Sequence, residues 1–284
     1  MKITVVGAGL MGRGIAYASA MGGYDTTLYD VSSDVLEEAH KAINKYLDTG
    51  LRRGKLDEKA RTEALTRLEL REDFETSVQD AKLVIEAVPE RIELKCDLFN
   101  KLDSLTSSEA ALATNTSSLS VTEIAAATNR PDRVIGMHFF NPVPKMKLVE
   151  IIRGLDTSDA AFELVETVAQ KMGKETVDVR ESPGFVTSRV NAVIGNEAFY
   201  MLQEGVASAR DIDKALKLGL NHPMGPFEMV DLVGLDTRLG VLDYLHERLG
   251  EKYRPCPLLV QYVKAGRLGR KVGRGVYDYD DANS

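Results

Sequence analysis

The chain has 284 residues, 44% of them hydrophobic and 28% charged, which is a globular balance with enough apolar material for one large domain or two smaller ones. A net charge of −7 argues against nucleic acid as the main partner. No apolar run approaches the roughly 18 residues needed to span a bilayer. The start, "MKITVVGAG", lacks the pattern of a secretory signal. Cys96 and Cys256 fit neither a metal pattern nor a disulfide framework, so reduced thiols in a cytoplasmic protein are expected, with no metal.

In chain order, "KITVVGAG" is an apolar strand running into glycines, "IAYASAMGG" has helical character, and "TTLYD" is a second strand ending at Asp30. Apolar residues at helical spacing mark a helix from Ser33 to about Thr49, broken at "LRRGK". "DEKARTEALTRL" is the next helix. Strand–helix alternation continues with "AKLVIEAVP", "RIELKCDLFNKLDSL", "ALATNTS" and "SVTEIAAAT", where Ser120 and Glu123 fit a capping box. "RVIGMHFF" and "KLVEIIR" are strands, "SDAAFELVETVAQKMG" a helix and "ETVDVR" a last strand. This alternation predicts a mostly parallel sheet covered on both faces.

At "ESPGF" the rhythm changes. "VTSRVNAVIGNEAFYMLQEG", "SARDIDKALKLGL", "GPFEMVDLVGLDTRLGVLDYLHERLG" and "CPLLVQYVKAG" read as helices, with one further strand at "GVYDY". The expected organisation is therefore an α/β Rossmann-type dinucleotide-binding domain over 1–183 and an all-α domain over 184–284. Leu, Val, Met and Tyr in the second part suit burial against a second copy, so a homodimer is expected.

"GAGLMG" follows a strand and opens a helix. Gly7 permits the tight turn, Gly9 the approach of a pyrophosphate, and Gly12 close helix–strand packing. The backbone from Gly7 through Ala8, Gly9, Leu10 and Met11 to Gly12 is the candidate phosphate cradle, with free N–H groups at the helix start. Asp30 lies at the distance expected of a carboxylate that binds the adenosine ribose. No Arg or Lys in "DVSSD" would welcome a 2′-phosphate, so the cofactor is NAD rather than NADP.

Glu150 sits inside the apolar "KLVEII", where an unpaired carboxylate is costly. Four histidines exist. His40 and His246 lie in amphipathic helices, and His222 lies in a proline- and glycine-rich turn. His138 closes a strand of the dinucleotide domain, where position alone leaves a core histidine and a functional one equally open. A hydrogen bond to Glu150 would satisfy the carboxylate, fix the imidazole tautomer and raise its basicity, making His138 a general base for a substrate hydroxyl.

"GAGLMG", "TNTSSL", "HFFNPVP", "KLVEII", "SPGF", "HPMGPFEMVDLVGLD" and "GRKVGRGVYDY" resemble, nearly end to end and in order, the L-3-hydroxyacyl-CoA dehydrogenase family, including 3-hydroxybutyryl-CoA dehydrogenases. The resemblance implies a Rossmann-type domain followed by a helical dimerisation domain. It also implies NAD-dependent, reversible oxidation of a short-chain (3S)-3-hydroxyacyl-CoA, with His138 as base and Glu150 as its partner. Ser117 would polarise or position the substrate near the reacting hydroxyl, and Asn141 would contact cofactor or substrate. Glu90, Lys95 and Lys271 match family positions near NAD. Without the resemblance, Ser117 reads as turn chemistry and Lys95 as a solvated helix residue. In "PGFVTSR", Ser188 stands where relatives commonly carry asparagine, which puts a direct substrate contact there in doubt. Arg52, Arg53 and Lys55, in "GLRRGK", fall where the family places part of its CoA contact, although a basic helix end is also an ordinary solvated cap. Two other readings are a dehydrogenase of free hydroxy or sugar acids, like the gulonate dehydrogenases, and a non-catalytic, crystallin-like NAD-binding protein.

Overall fold

In the computed structural model, which describes residues 1–279, the chain divides into two compact units, Met1–Ser182 and Pro183–Ser284. The division falls one residue before the boundary expected from sequence. No helix among the described residues is long and apolar enough to cross a membrane.

The first unit is built on eight strands: β1 (Lys2–Val6), β2 (Asp25–Tyr29), β3 (Leu68–Arg71), β4 (Leu83–Glu86), β5 (Ala111–Thr114), β6 (Val134–Phe139), β7 (Leu148–Arg153) and β8 (Glu175–Arg180). They form one sheet in the order β3-β2-β1-β4-β5-β6-β7-β8. Pairing is parallel except between β6 and β7, so β7 and β8 run against the other six. The strand order reverses at β1, and the crevice beyond the strand ends at such a reversal is where open α/β sheets bind ligands.

Seven helices cover the sheet: α1 (Leu10–Met21), α2 (Ser33–Arg52), α3 (Glu58–Thr66), α4 (Phe74–Val78), α5 (Ile92–Leu105), α6 (Val121–Ala126) and α7 (Asp159–Lys171). α2 buries Leu36, Ala39, Ile43 and Leu47 at helical spacing, each leucine or isoleucine contributing about 1.5–3 kcal/mol. Its N-cap is Ser32, whose hydroxyl accepts from the Val35 N–H. β3 and α4 have no counterpart in the sequence reading. "LELR" is a short edge strand with two charges, and four residues carry too little periodicity to identify it. At α6 the Ser120 hydroxyl accepts from the Glu123 N–H, but Glu123 does not complete the expected box. Glu181 instead braces this helix start, accepting from the Ser120 hydroxyl and from the Thr122 N–H and hydroxyl.

The second unit consists of α8 (Thr187–Gln203), α9 (Ala209–Gly219), α10 (Pro226–Val233), α11 (Leu235–Leu249) and α12 (Pro257–Lys264). Its core gathers Phe199, Phe227, Leu235, Leu242, Leu245 and Leu259. The single helix expected from Gly225 to Gly250 is two, because Gly234 adopts φ +107° and turns the chain between α10 and α11. The expected strand at "GVYDY" is also absent. Residues 269–279 form a tight loop with isolated bridges from Arg274 to Gly269 and Asp278. The loop is held by buried Asp231, which accepts from the Val276 and Tyr277 N–H groups and the Tyr279 hydroxyl. A backbone satisfied by a side chain does not need a strand partner.

Candidate active site

β6 and β7 are antiparallel, and their register sets His138 directly opposite Glu150. Cross-strand neighbours in such a ladder share a face of the sheet. The imidazole Nδ1 lies 2.7 Å from the Glu150 Oε2, with Glu150 fully buried and His138 7% exposed. The carboxylate that looked too costly for an apolar strand is therefore paired. Bound this way, the ring donates from Nδ1 and carries its lone pair on Nε2, the tautomer a general base requires. Phe140 packs against the imidazole at 4.4 Å between ring centroids.

Across the sheet, β1 ends at Val6 and the chain turns at Gly7, whose φ of +99° suits glycine. An added Cβ at Gly12 would sit 1.7 Å from the Gly7 carbonyl oxygen, so α1 can start this close to the turn only with glycine there. Nothing lies within 4 Å of the Cβ position of Gly9. This open cradle, at the N-terminus of α1 with Ala8, Leu10 and Met11 around it, fits the pyrophosphate of a dinucleotide. Asp30, just past β2, braces the turn: its carboxylate accepts from the Ala8 N–H at 2.8 Å and the Ser32 N–H at 3.1 Å.

Between these two places lies a network that the sequence reading only partly identified. Glu86, the last residue of β4, is fully buried and accepts from the Lys95 ammonium at 2.6 Å, the Val88 N–H at 2.7 Å and the Thr114 hydroxyl at 2.7 Å. Lys95 is 1% exposed, not solvated, and lies on the stripe of α5 that also buries Phe99 and Leu102. Its ammonium also approaches Glu90 at 3.3 Å. Glu90 in turn accepts from the Thr116 hydroxyl and from the Ser117 N–H and hydroxyl. Ser117 is thus oriented by a carboxylate that is itself held by a buried cation. Glu86 was not singled out from the sequence, although "LVIEAVP" carries the same signal as "KLVEII". Asn115 was missed as well: its side-chain oxygen accepts from the Phe139 N–H and fixes the end of β6 beside His138.

The remaining candidates fall elsewhere. Asn141 is exposed in the turn between β6 and β7. Arg52, Arg53 and Lys55 are exposed at the end of α2, with no ion pair among the described residues. Ser188 lies in the first turn of α8, and Lys271 sits in the 269–279 loop, paired with Asp236 at 2.6 Å.

Residues 2–182 match the 3-hydroxyacyl-CoA dehydrogenase NAD-binding domain, and residues 184–279 match the C-terminal domain of the same family. The chain is 49% identical to a probable 3-hydroxybutyryl-CoA dehydrogenase of Bacillus subtilis (strain 168), over 100% of this chain and 99% of that protein. It is 40% identical to the mitochondrial hydroxyacyl-coenzyme A dehydrogenase of Rattus norvegicus, over 98% of this chain and 90% of the relative. Among solved structures, the (S)-3-hydroxybutyryl-CoA dehydrogenase PaaH1 of Ralstonia eutropha superposes with a TM-score of 0.96 at 43% identity, covering 99% of each chain. With a dinucleotide cradle at one strand end and a paired histidine at another, matched over both domains, the chain belongs to the 3-hydroxyacyl-CoA dehydrogenase family and is an NAD-dependent oxidoreductase.

Proposed function

We propose that this enzyme reversibly oxidises short-chain (3S)-3-hydroxyacyl-CoA thioesters to 3-oxoacyl-CoA. The reading rests on one observation, the buried 2.7 Å bond between His138 and Glu150. NAD, held by the Gly7–Gly12 turn and by Asp30, supplies the hydride acceptor. His138 takes the proton of the 3-hydroxyl at Nε2 as the carbinol carbon gives up its hydride. Glu150 stabilises the imidazolium that results and keeps the ring oriented for the reverse step. Ser117, aligned by Glu90, and Asn141 position the hydroxyl. Lys95 acts through its hold on Glu90 rather than by direct contact, while Lys271 and Glu90 complete the cofactor site. Arg52 and Arg53 offer cations to the CoA phosphates, and Ser188 offers a hydroxyl to the acyl group.

Glu150→Gln tests this role because it keeps the shape and an acceptor but removes the charge. Turnover of 3-hydroxybutyryl-CoA, followed by NADH absorbance, should fall by about 100- to 10,000-fold, the usual worth of an oriented acid–base group. NAD affinity, read by fluorescence titration, should hold. Wild-type turnover in this variant would exclude the dyad as the catalytic device. We further propose a cytoplasmic homodimer formed through the helical unit. Val186, the N-cap of α8, and Val190 and Val193 within it recur at helical spacing and are 52%, 54% and 39% exposed. Light scattering should give twice the chain mass.

A further inference from the structure

Two carboxylates share one ammonium beneath Ser117. Glu86 accepts on both oxygens: Oε1 from the Val88 N–H and the Lys95 ammonium, Oε2 from the Thr114 hydroxyl. Thr114 Oγ1 is itself an acceptor for the Thr116 N–H, which leaves its own proton for Glu86. Thr116 Oγ1 likewise accepts from the Ser118 and Leu119 N–H groups and donates to Glu90 Oε1. That oxygen also accepts from the Ser117 N–H and hydroxyl. Groups surrounded by donors in this way serve as acceptor-only carboxylates. Among the described residues neither of them has an ion pair with a second cation. The cluster therefore carries one negative charge more than positive. Lys95 stands 2.6 Å from Glu86 but 3.3 Å from Glu90, so it chiefly neutralises the buried partner. The surplus lies on Glu90, whose side chain is 38% exposed.

We propose that Glu86 is a positioning residue that sets the charge at the nicotinamide end of the cofactor site. By holding Lys95 it leaves Glu90 negative, which favours the cationic nicotinamide of NAD⁺ over the neutral ring of NADH. This rests on the roles of His138 and Glu90 proposed above. β1, β4, β5 and β6 are successive parallel neighbours in the sheet. Strands lie about 4.8 Å apart, so the glycine turn after β1 and His138 on β6 are separated by about 14 Å. A dinucleotide with its pyrophosphate at the first and its hydride acceptor serving the second crosses the ends of β4 and β5. Glu90 and Ser117 follow those two strands and are joined there by hydrogen bonds. A fixed charge beside a ring that is cationic in one redox state and neutral in the other acts on the two states unequally. Without the Glu86 charge, Lys95 is left to Glu90 alone and cancels it.

The test measures cofactor binding to the full-length enzyme with no substrate present, NADH by its fluorescence and NAD⁺ by competition against it. Glu86→Gln should raise the ratio of the NAD⁺ Kd to the NADH Kd about tenfold, and Glu90→Gln should do the same. The double variant Glu86→Gln/Lys95→Met removes one charge of each sign and leaves Glu90 negative. It should return the ratio to the wild-type value, a rescue that a merely structural role for Glu86 does not produce. A shift in Glu90→Gln without one in Glu86→Gln would overturn the proposal while leaving Glu90 at the cofactor. No shift in either would overturn it by removing Glu90 from the cofactor site. A double variant that keeps the shifted ratio would overturn it as well. Should Glu86→Gln not fold, the other two variants decide: the double variant must match wild type and Glu90→Gln must not. Because no acyl-CoA takes part, failure of the enzyme to oxidise such thioesters would be a separate result.

Discussion

Asp30, just past β2, and Glu86, the last residue of β4, both lie at the binding edge of the sheet, and they are held by different means. Asp30 is half-buried and accepts from two backbone N–H groups, so its charge stays available to a ligand beside the glycine turn. Glu86 is sealed in, with Lys95, Val88 and Thr114 as its partners. Removing one member of a buried pair of this kind typically costs about 3–5 kcal/mol, because the other is left charged and dry. Arg71, in β3, lies next to Tyr29 in register, yet its guanidinium is tied to Glu69 and the Thr76 carbonyl. Arg71 is therefore not free to offset Asp30. Asp30→Ala should raise the KM for NAD by about 10- to 100-fold, the worth of a charge-assisted hydrogen bond of about 1.5–3 kcal/mol, and narrow the preference over NADP. Steady-state kinetics with both cofactors checks this, and an unaltered NAD/NADP ratio would remove Asp30 from the ribose site.

At the scale of elements, the end of α5 shows how a helix terminus is secured without a glycine cap. Asp103 accepts from the Asn129 N–H and side chain and from Arg130 Nε, while Arg130 reaches back to the carbonyls of Asp103, Thr106 and Ser107. The last carbonyls of the helix thus find partners in a side chain from the segment after α6. Burial alone would raise the Asp103 carboxyl, but the hydrogen bonds from Asn129 and Arg130 outweigh it and hold the pKa below the usual value. A carboxyl lowered in the fold contributes its full stability above its unfolded value of about 3.9, and that contribution is lost as the pH falls through the lower folded value. Asp103→Ala should destabilise the enzyme by about 3–5 kcal/mol at neutral pH, since it strands Arg130. The gap between variant and wild type should narrow in thermal melts taken below about pH 4. A gap independent of pH would mean that the Asp103 charge is not what stabilises the helix end.

At the scale of the whole molecule, what could be read in the sequence followed the length and purity of each signal. The glycine turn, the long amphipathic helices, the change of rhythm near Pro183 and the apolar strands flanking His138 and Glu150 carry strong periodicity, and the structure has each of them. β3 and α4 are too short to register, and the split at Gly234 depends on a single positive φ inside a helical pattern. Without the resemblance Lys95 reads as a solvated residue because its charge outweighs its position, although its spacing to Phe99 and Leu102 places it on the buried stripe of α5. The strand expected at "GVYDY" failed because Asp231, distant in sequence, satisfies that backbone instead. Sequence patterns convey which faces are apolar. They do not convey which distant side chain will meet an orphaned N–H, as Asp231 does at Val276 and Tyr277.

The antiparallel pairing of β6 and β7 gives the enzyme an inherent proofreading of its own assembly. Side chains alternate faces along a strand, so slipping this ladder by a single residue would turn Glu150 to the opposite side from His138. A misaligned chain could still be compact, but it would have no working base. An insertion within either strand would shift the register by that one residue and erase the chemistry. Competence and correct zippering of these two strands are one event, because the rungs that pair them also set the base against its carboxylate.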